Sequence, residues 1–237
     1  MIDPAEKSTE VPSRPGQAEV APGVLLDSRL GLFHREEGWL AVSDLHFGYE
    51  VSRRAAGGLW PMWGIEAVET RLKMLIEELR PETLILNGDI VDSSAAPQEA
   101  ACWLSGLQAT VPELILIEGN HDRGAIRRQF PFVSHYRQGP FFFHHGHRPI
   151  FEEEAIVETG MIEVTGHAHP TANFNDGAGT SLRLPALAVE SFPHRSLWTL
   201  PAFSPWAGGG AYRPINASHP YRLWACSEFR VFEAIAP

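Results

Sequence analysis

The sequence predicts an α/β fold whose first half alternates strands with helices and whose second half is mostly strand. Three observations carry that expectation. Short apolar runs at 39–42, 83–86 and 114–117 each lead into ligand-type polar residues. A helical stripe separates the first two runs. Beyond about residue 140 no strong helical pattern recurs.

Residues 1–20 include Pro4, Pro12, Pro15 and Gly16 and few large apolar side chains, so they are expected to be a disordered leader. A single domain over 21–237 follows. Trp39-Leu40-Ala41-Val42 reads as a buried strand running into Asp44. Residues 48–64, with Gly57, Gly58 and Pro61, read as a loop or mobile flap carrying Trp60 and Trp63. Ile65, Val68, Leu72, Leu75, Ile76 and Leu79 then form one helix face that stops before Pro81. The strand at 83–86 feeds Asn87-Gly88-Asp89. A second helix starts near Pro97, with Ala101, Leu104 and Leu107 inward. The strand at 114–117 feeds Gly119-Asn120-His121-Asp122, and a third helix is expected from about Asp122. This order is that of parallel strands joined by right-handed crossovers. Further strands are expected at 141–143, 162–164, 182–189, 197–200 and 223–232.

The bulk numbers narrow the function classes. The chain has 237 residues, with 19 Lys and Arg against 29 Asp and Glu, a formal net charge of −10. That balance disfavours indiscriminate adhesion to nucleic acid or anionic lipid while leaving room for a local basic patch. No segment approaches the roughly 20 apolar residues that span a bilayer, and the start lacks a signal-like apolar stretch. A cytoplasmic protein without a membrane partner is expected. Cys102 and Cys226 cannot make a disulfide framework; set among apolar residues, both are expected to be buried thiols.

Five separated segments concentrate metal-ligand residue types: Asp44-Leu45-His46, Gly88-Asp89, Gly119-Asn120-His121-Asp122, His144-His145-Gly146-His147 and Gly166-His167-Ala168-His169. Carboxylate, imidazole and amide oxygen suit divalent cations that activate water, with no thiolate required. Asp44 and His46, two residues apart at a strand end, can reach one ion. Asp89 is the natural bridge between two ions about 3.5–4 Å apart. Singly, each segment has a bland reading: a turn for Gly-Asp, a helix cap for Asn120, a surface turn for His-x-His. Together, and in this order, they point to a dinuclear metal hydrolase.

The ordered motifs Asp-x-His, Gly-Asp-x-x-Asp (88–92), Gly-Asn-His-Asp, His-Gly-His and Gly-His-x-His resemble those of the calcineurin-like metallophosphoesterase superfamily, over about residues 24–170. The resemblance implies a four-layer α/β/β/α sandwich with its site at the carboxyl ends of the strands. It implies that Asp44, His46, Asp89 and His169 hold one metal and Asp89, Asn120, His145 and His167 the other. His121 would face the substrate phosphate, with Asp122 orienting it or another histidine. The metals implied are two divalent ions, manganese first, with iron, zinc, nickel or magnesium also accepted by this ligand set. Leu184-Pro185-Ala186, Leu200-Pro201-Ala202-Phe203-Ser204 and Gly208-Gly209-Gly210 are similar to the tail of the DNA-ligase-associated bacterial and archaeal phosphoesterases. That branch implies a phosphodiesterase or DNA nuclease in DNA repair, linked to a DNA ligase and helicase. The alternative is a hydrolase of small phosphoesters or nucleotides. A non-catalytic scaffold predicts missing ligands, and none is missing here.

Other residues stay open between roles. Arg123, Arg127 and Arg128, with Arg137 and Arg148, could contact phosphate or form a solvated face; Arg53 and Arg54 lie nearer Asp44. Trp60, Trp63 and Trp206 could stack on bases or pack loops onto the core. His144 should point away from the site and His147 could support it, whereas His34, His135, His194 and His219 lack ligand-type neighbours.

Overall fold

A computed structural model describes residues 16–92, 97–148, 159–215 and 219–234. The first sheet runs in chain order through β1 (Gln17–Ala21), β2 (Val24–Asp27), β3 (Leu32–His34), β4 (Trp39–Val42), β5 (Thr83–Asn87), β6 (Glu113–Ile117) and β7 (Phe132–Val133). Strands β1 to β4 pair antiparallel and β4 to β7 parallel. Every residue of β4 and β5 is buried, as parallel strands covered on both faces require, and this explains their unbroken apolar runs.

The described helices α1 (Tyr49–Ala55), α2 (Gly64–Leu79), α3 (Pro97–Thr110) and α4 (Ala125–Gln129) all precede residue 130. Helix α2 buries Val68, Leu72, Leu75 and Ile76, the stripe expected from the sequence. None of the described helices is long and apolar enough to cross a membrane.

The second sheet contains β8 (His135–Gln138), β9 (Phe141–His144), β10 (Met161–Thr165), β11 (Pro170–Asn175), β12 (Ser181–Ser191), β13 (Arg195–Thr199), β14 (Gly210–Ala211), β15 (Tyr221–Cys226) and β16 (Val231–Ala234). Its order is β14-β11-β12-β13-β10-β9-β8, with β15 joined to β12 and β16 to β15. The two sheets meet through aromatic side chains. Trp39 lies 4.8 Å from Phe141 and 5.1 Å from Phe143 between ring centroids, and Phe141 lies 6.2 Å from Trp198. Alternation along β9 turns Phe141 and Phe143 to this shared core and Phe142 to the opposite face, against Met161.

The fold is the expected α/β sandwich of two sheets. Some local expectations change. Residues 17–20, placed in the leader, belong to β1, where Val20 is buried; residues 1–15 lie outside the described residues. The segment 48–64 is not all loop, since α1 occupies its first part. Helix α4 begins at Ala125 rather than Asp122, because Asp122 turns its side chain inward to bind backbone. On α3 the fully buried alanine is Ala100, with Ala101 only half-buried. Cys226 is buried, but Cys102 is exposed on the outer side of α3.

Trp39 is fully buried where the sheets meet. Trp39→Ala is expected to cost about 3–5 kcal/mol of folding stability, read from the midpoint of urea unfolding.

Candidate metal centre

The parallel register sets the site. Asn87 of β5 pairs with Ile117 of β6, and Val42 of β4 pairs with Leu86. The segments that follow each strand therefore leave the sheet side by side. Pairing continues past the strand ends: Asp44 N–H donates to the Gly88 carbonyl at 3.1 Å and His46 N–H to the Asp89 carbonyl at 2.9 Å. From the second sheet, His145 follows β9 and Gly166 follows β10, with Gly166 N–H bonded to the His145 carbonyl at 3.1 Å.

At these ends the backbone leaves the usual regions. Seven described non-glycine residues have positive φ, and five of them are Asp44, His46, Asp89, His167 and His169. Such conformations cost on the order of 1–3 kcal/mol each and persist where surrounding structure over-determines them. Here they turn five side chains toward one point. Close approach also explains two glycines. A Cβ on Gly119 would lie 2.1 Å from the Asp89 nitrogen, and one on Gly166 would lie 1.8 Å from Ser43 Oγ.

Asp89 lies at the centre. Its Oδ1 accepts the His121 backbone N–H at 2.8 Å. Its Oδ2 faces three imidazole nitrogens: His145 Nε2 at 3.3 Å, His46 Nε2 at 3.9 Å and His121 Nε2 at 4.0 Å. Burial works to raise the Asp89 carboxyl, but the close approach and charge of the His145 imidazole, with the His121 N–H, outweigh it and hold the group well below the usual carboxylate range. Asp44, fully buried, has Oδ1 3.0 Å from His169 Nε2 and 3.9 Å from His145 Nε2, and both its oxygens accept the His167 N–H. Ser43 Oγ donates to Asp44 Oδ2 at 2.8 Å.

Three triads have ligand atoms close enough to share an ion: Asp44, His46 and His169; Asp89, His145 and His167; and His46, Asp92 and His121. The first gathers three of the four residues that the resemblance assigns to one cation, and the second three of the four assigned to the other. Asn120, His145 and His46 supply the fit test. Asn120 Oδ1, His145 Nε2 and both ring nitrogens of His46 are buried without a hydrogen-bond partner. Buried polar atoms rarely go unpartnered, and amide oxygen with imidazole nitrogen is a donor set that divalent cations accept. His145 Nδ1 donates to the Asn87 carbonyl at 3.0 Å, which leaves the Nε2 lone pair directed at the centre.

The calcineurin-like phosphoesterase family model matches residues 40–197, about two thirds of the chain. The chain belongs to the calcineurin-like phosphoesterase family. It is a hydrolase, and the family works with a dinuclear metal site. No curated protein matches the sequence. Among solved structures, the Pseudomonas putida nuclease MPE superposes with a TM-score of 0.67 at 23% identity, over 92% of this chain and 100% of that one. The Escherichia coli phosphoesterase Yfce gives a TM-score of 0.48 at 16% identity, over 83% of this chain and 97% of that one. At 23% identity the likeness to the Pseudomonas putida nuclease shows the fold.

His121 and Asp122 part company in this phosphoesterase. His121, more exposed than the Asp89 and Asp92 it faces, has Nδ1 3.0 Å from Asp92 Oδ1. That hydrogen bond, with the charges of Asp89, Asp92 and Asp122, raises the imidazole pKa against the opposing effect of burial. Asp122 does not orient a histidine. Its Oδ1 accepts the N–H groups of Ile90 and Val91, and its Oδ2 that of Gly119, each at 2.9 Å. Burial pushes its carboxyl up to about 6, against the pull of these N–H groups. Asp122 thus ties the loop after β6 to the loop after β5.

The orienting carboxylate is Asp92, to which the sequence reading gave no role although it closes the Gly-Asp-x-x-Asp motif. Burial raises its carboxyl, but the hydrogen bond from His121, with the His46 imidazole 3.6 Å away and the neighbouring Ser52 hydroxyl, outweighs this and depresses it. Asn87 carries no motif that would mark it in the sequence. Its Nδ2 donates to the carbonyls of His144 at 3.1 Å and Val164 at 3.3 Å, which clamps one sheet to the other beside the site.

The remaining histidines divide. His144 points away, with Nε2 2.9 Å from Glu163 Oε1, and burial lowers its pKa to about 4. His147 lies 5.3 Å from the His145 ring, and both its nitrogens are buried without partners. Of the arginines, Arg127 and Arg148 both pair with Glu118, so they do not form a free phosphate patch. Arg123 lies ahead of α4, so it shares no helix face with Arg127; its Nε donates to the Asn120 carbonyl at 2.9 Å.

His121→Ala is expected to lower turnover by about 10²–10⁴-fold while metal content per chain stays unchanged by elemental analysis. Asp92→Asn should also slow turnover with full metal content. Loss of metal from either variant would transfer that residue to the ligand shell.

Proposed function

We propose that this site holds two divalent cations and hydrolyses phosphodiester bonds, with DNA as the substrate of first choice. The observation that carries the reading is the Asp89 carboxylate, whose free oxygen faces imidazole nitrogens from both sheets within 4.0 Å. Asp44, His46, Asp89 and His169 are assigned to one cation, and Asp89, Asn120, His145 and His167 to the other, with manganese the first candidate for both. Bound there, the cations would lower the pKa of a water toward neutrality and draw charge from the phosphoryl oxygens.

The protein's own groups do the rest. Asp92 accepts from His121 Nδ1 and fixes the ring, leaving Nε2 toward the centre. From there Nε2–H can neutralise a phosphoryl oxygen or pass its proton to the leaving alkoxide, closing the reaction without a free oxyanion. The backbone N–H of His121 is spent on Asp89 Oδ1, which holds the loop in place while the ring works.

The nuclease reading draws on the fold shared with the Pseudomonas putida nuclease and on the tail similar to ligase-associated phosphoesterases. A place in DNA repair beside a ligase and helicase extends it, and adjacency of the three genes would support that extension. With manganese supplied, turnover of a simple phosphodiester and of single-stranded DNA is expected, with a phosphomonoester cleaved far more slowly. Turnover of the monoester alone would end the nuclease reading and leave a small-molecule phosphohydrolase. Metal-free protein should regain activity on adding manganese, and the same addition should raise its melting temperature, because the cations compensate buried carboxylates.

A further inference from the structure

The segment after the first ligand pair builds a continuous aromatic path from the metal centre to solvent. The His46 ring meets Tyr49 edge-on at 6.4 Å. Tyr49 meets Trp60 at 5.3 Å, Trp60 meets Trp206 at 5.2 Å, and Trp206 meets Trp63 at 4.4 Å. The far end is open: Trp63 is 46% exposed, beside Met62 at 53% and Leu59 at 99%.

This path is held from beneath. Glu50, buried within α1, accepts the Trp206 Nε1–H at 3.1 Å and the Ile65 N–H at 2.8 Å, so one carboxylate fixes both Trp206 and the first turn of α2. Gly64 leaves room for this packing, since a Cβ there would lie 2.1 Å from Trp206 Nε1. Cationic groups run alongside. The Arg53 guanidinium lies 4.6 Å over the Tyr49 ring, and Arg54 donates to the Trp60 carbonyl at 3.1 Å.

We propose that this platform receives nucleobases flanking the scissile phosphodiester of a single-stranded polynucleotide, with Trp63 as the exposed stacking face. The inference rests on the phosphodiesterase reading above and specifies its substrate. Three features select bases over other apolar ligands. The rings lead stepwise from a candidate metal ligand, so a chain held at the centre can lay bases along them. Flat aromatic faces stack on any base, with little sequence preference. Guanidinium groups beside the rings match a chain in which bases alternate with phosphates. A local source of attraction is also needed, because the net charge of −10 repels a polyanion at long range.

The test compares a single-stranded oligonucleotide with an abasic oligomer of equal length, both with manganese, in wild type, Trp63→Ala and Trp63→Phe. The wild type is expected to prefer the base-bearing strand in kcat/KM, and Trp63→Ala to reduce that preference about tenfold. Trp63→Phe, which keeps a ring, should retain most of it. Equal cleavage of both oligomers by the wild type overturns the platform, as does an equal loss on both in Trp63→Ala, which would mean that Trp63 only props the segment. A preference that survives in Trp63→Ala likewise overturns it. If the wild type hydrolyses a small phosphodiester but neither oligomer, the polynucleotide reading itself fails.

Discussion

The structure turns on the buried carboxylate of Asp89. It sits on a backbone with φ of 46°, one oxygen taken by the His121 N–H and the other turned to histidines from both sheets. Two of its imidazole neighbours, His46 and His145, carry nitrogens that are buried and unpartnered. A carboxylate withdrawn from water is stable when its charge is met at short range, and removing such compensation costs several kcal/mol. A cation bound there would meet Asp89, Asp44 and the unpartnered imidazoles together. The left-handed residues around Asp89, and the absence of a side chain at Gly119, are the local consequences of packing so many donors round one point.

Neither sheet makes the site alone. The first contributes Asp44, His46, Asp89, Asn120 and His121; the second contributes His145, His167 and His169. Their alignment depends on the aromatic core of Trp39, Phe141 and Phe143 and on polar ties at its edge. Asn87 binds two carbonyls of the second sheet while its own carbonyl accepts from His145 Nδ1. Phe203 and Ser204 return the connection by donating their N–H groups to the carbonyls of Ser43 and Asp44. A rigid core thus fixes the distances, and the hydrogen bonds at its rim fix the directions.

Much of this is legible in the sequence. Strands β4 and β5 are buried on both faces and β6 at its carboxyl end, so their apolar runs are continuous and their ends stand out where Asp44, Asp89 and Asn120 begin. Helix α2 packs one face on the sheet and shows the corresponding period. The short helix α1 was not legible: its seven residues carry one buried side chain, Glu50, too little to make an apolar stripe. Strands β1 to β3 were obscured because short antiparallel strands next to a proline-rich stretch offer little alternation to count.

The sequence by itself determined the chemistry: residue types of a divalent-metal phosphoesterase, in order, at strand ends. Local covalent neighbours suffice for that, since ligand type and strand end are read within a few residues. Which carboxylate serves which partner was decided only by the tertiary structure. Asp122 follows His121 in the chain yet binds the backbone of Ile90, Val91 and Gly119, whereas Asp92, 29 residues away, bonds the imidazole. Adjacent residues diverge because the turn after β6 sends successive side chains in different directions. Parallel register then brings a distant loop to the ring, and sequence spacing does not encode that distance.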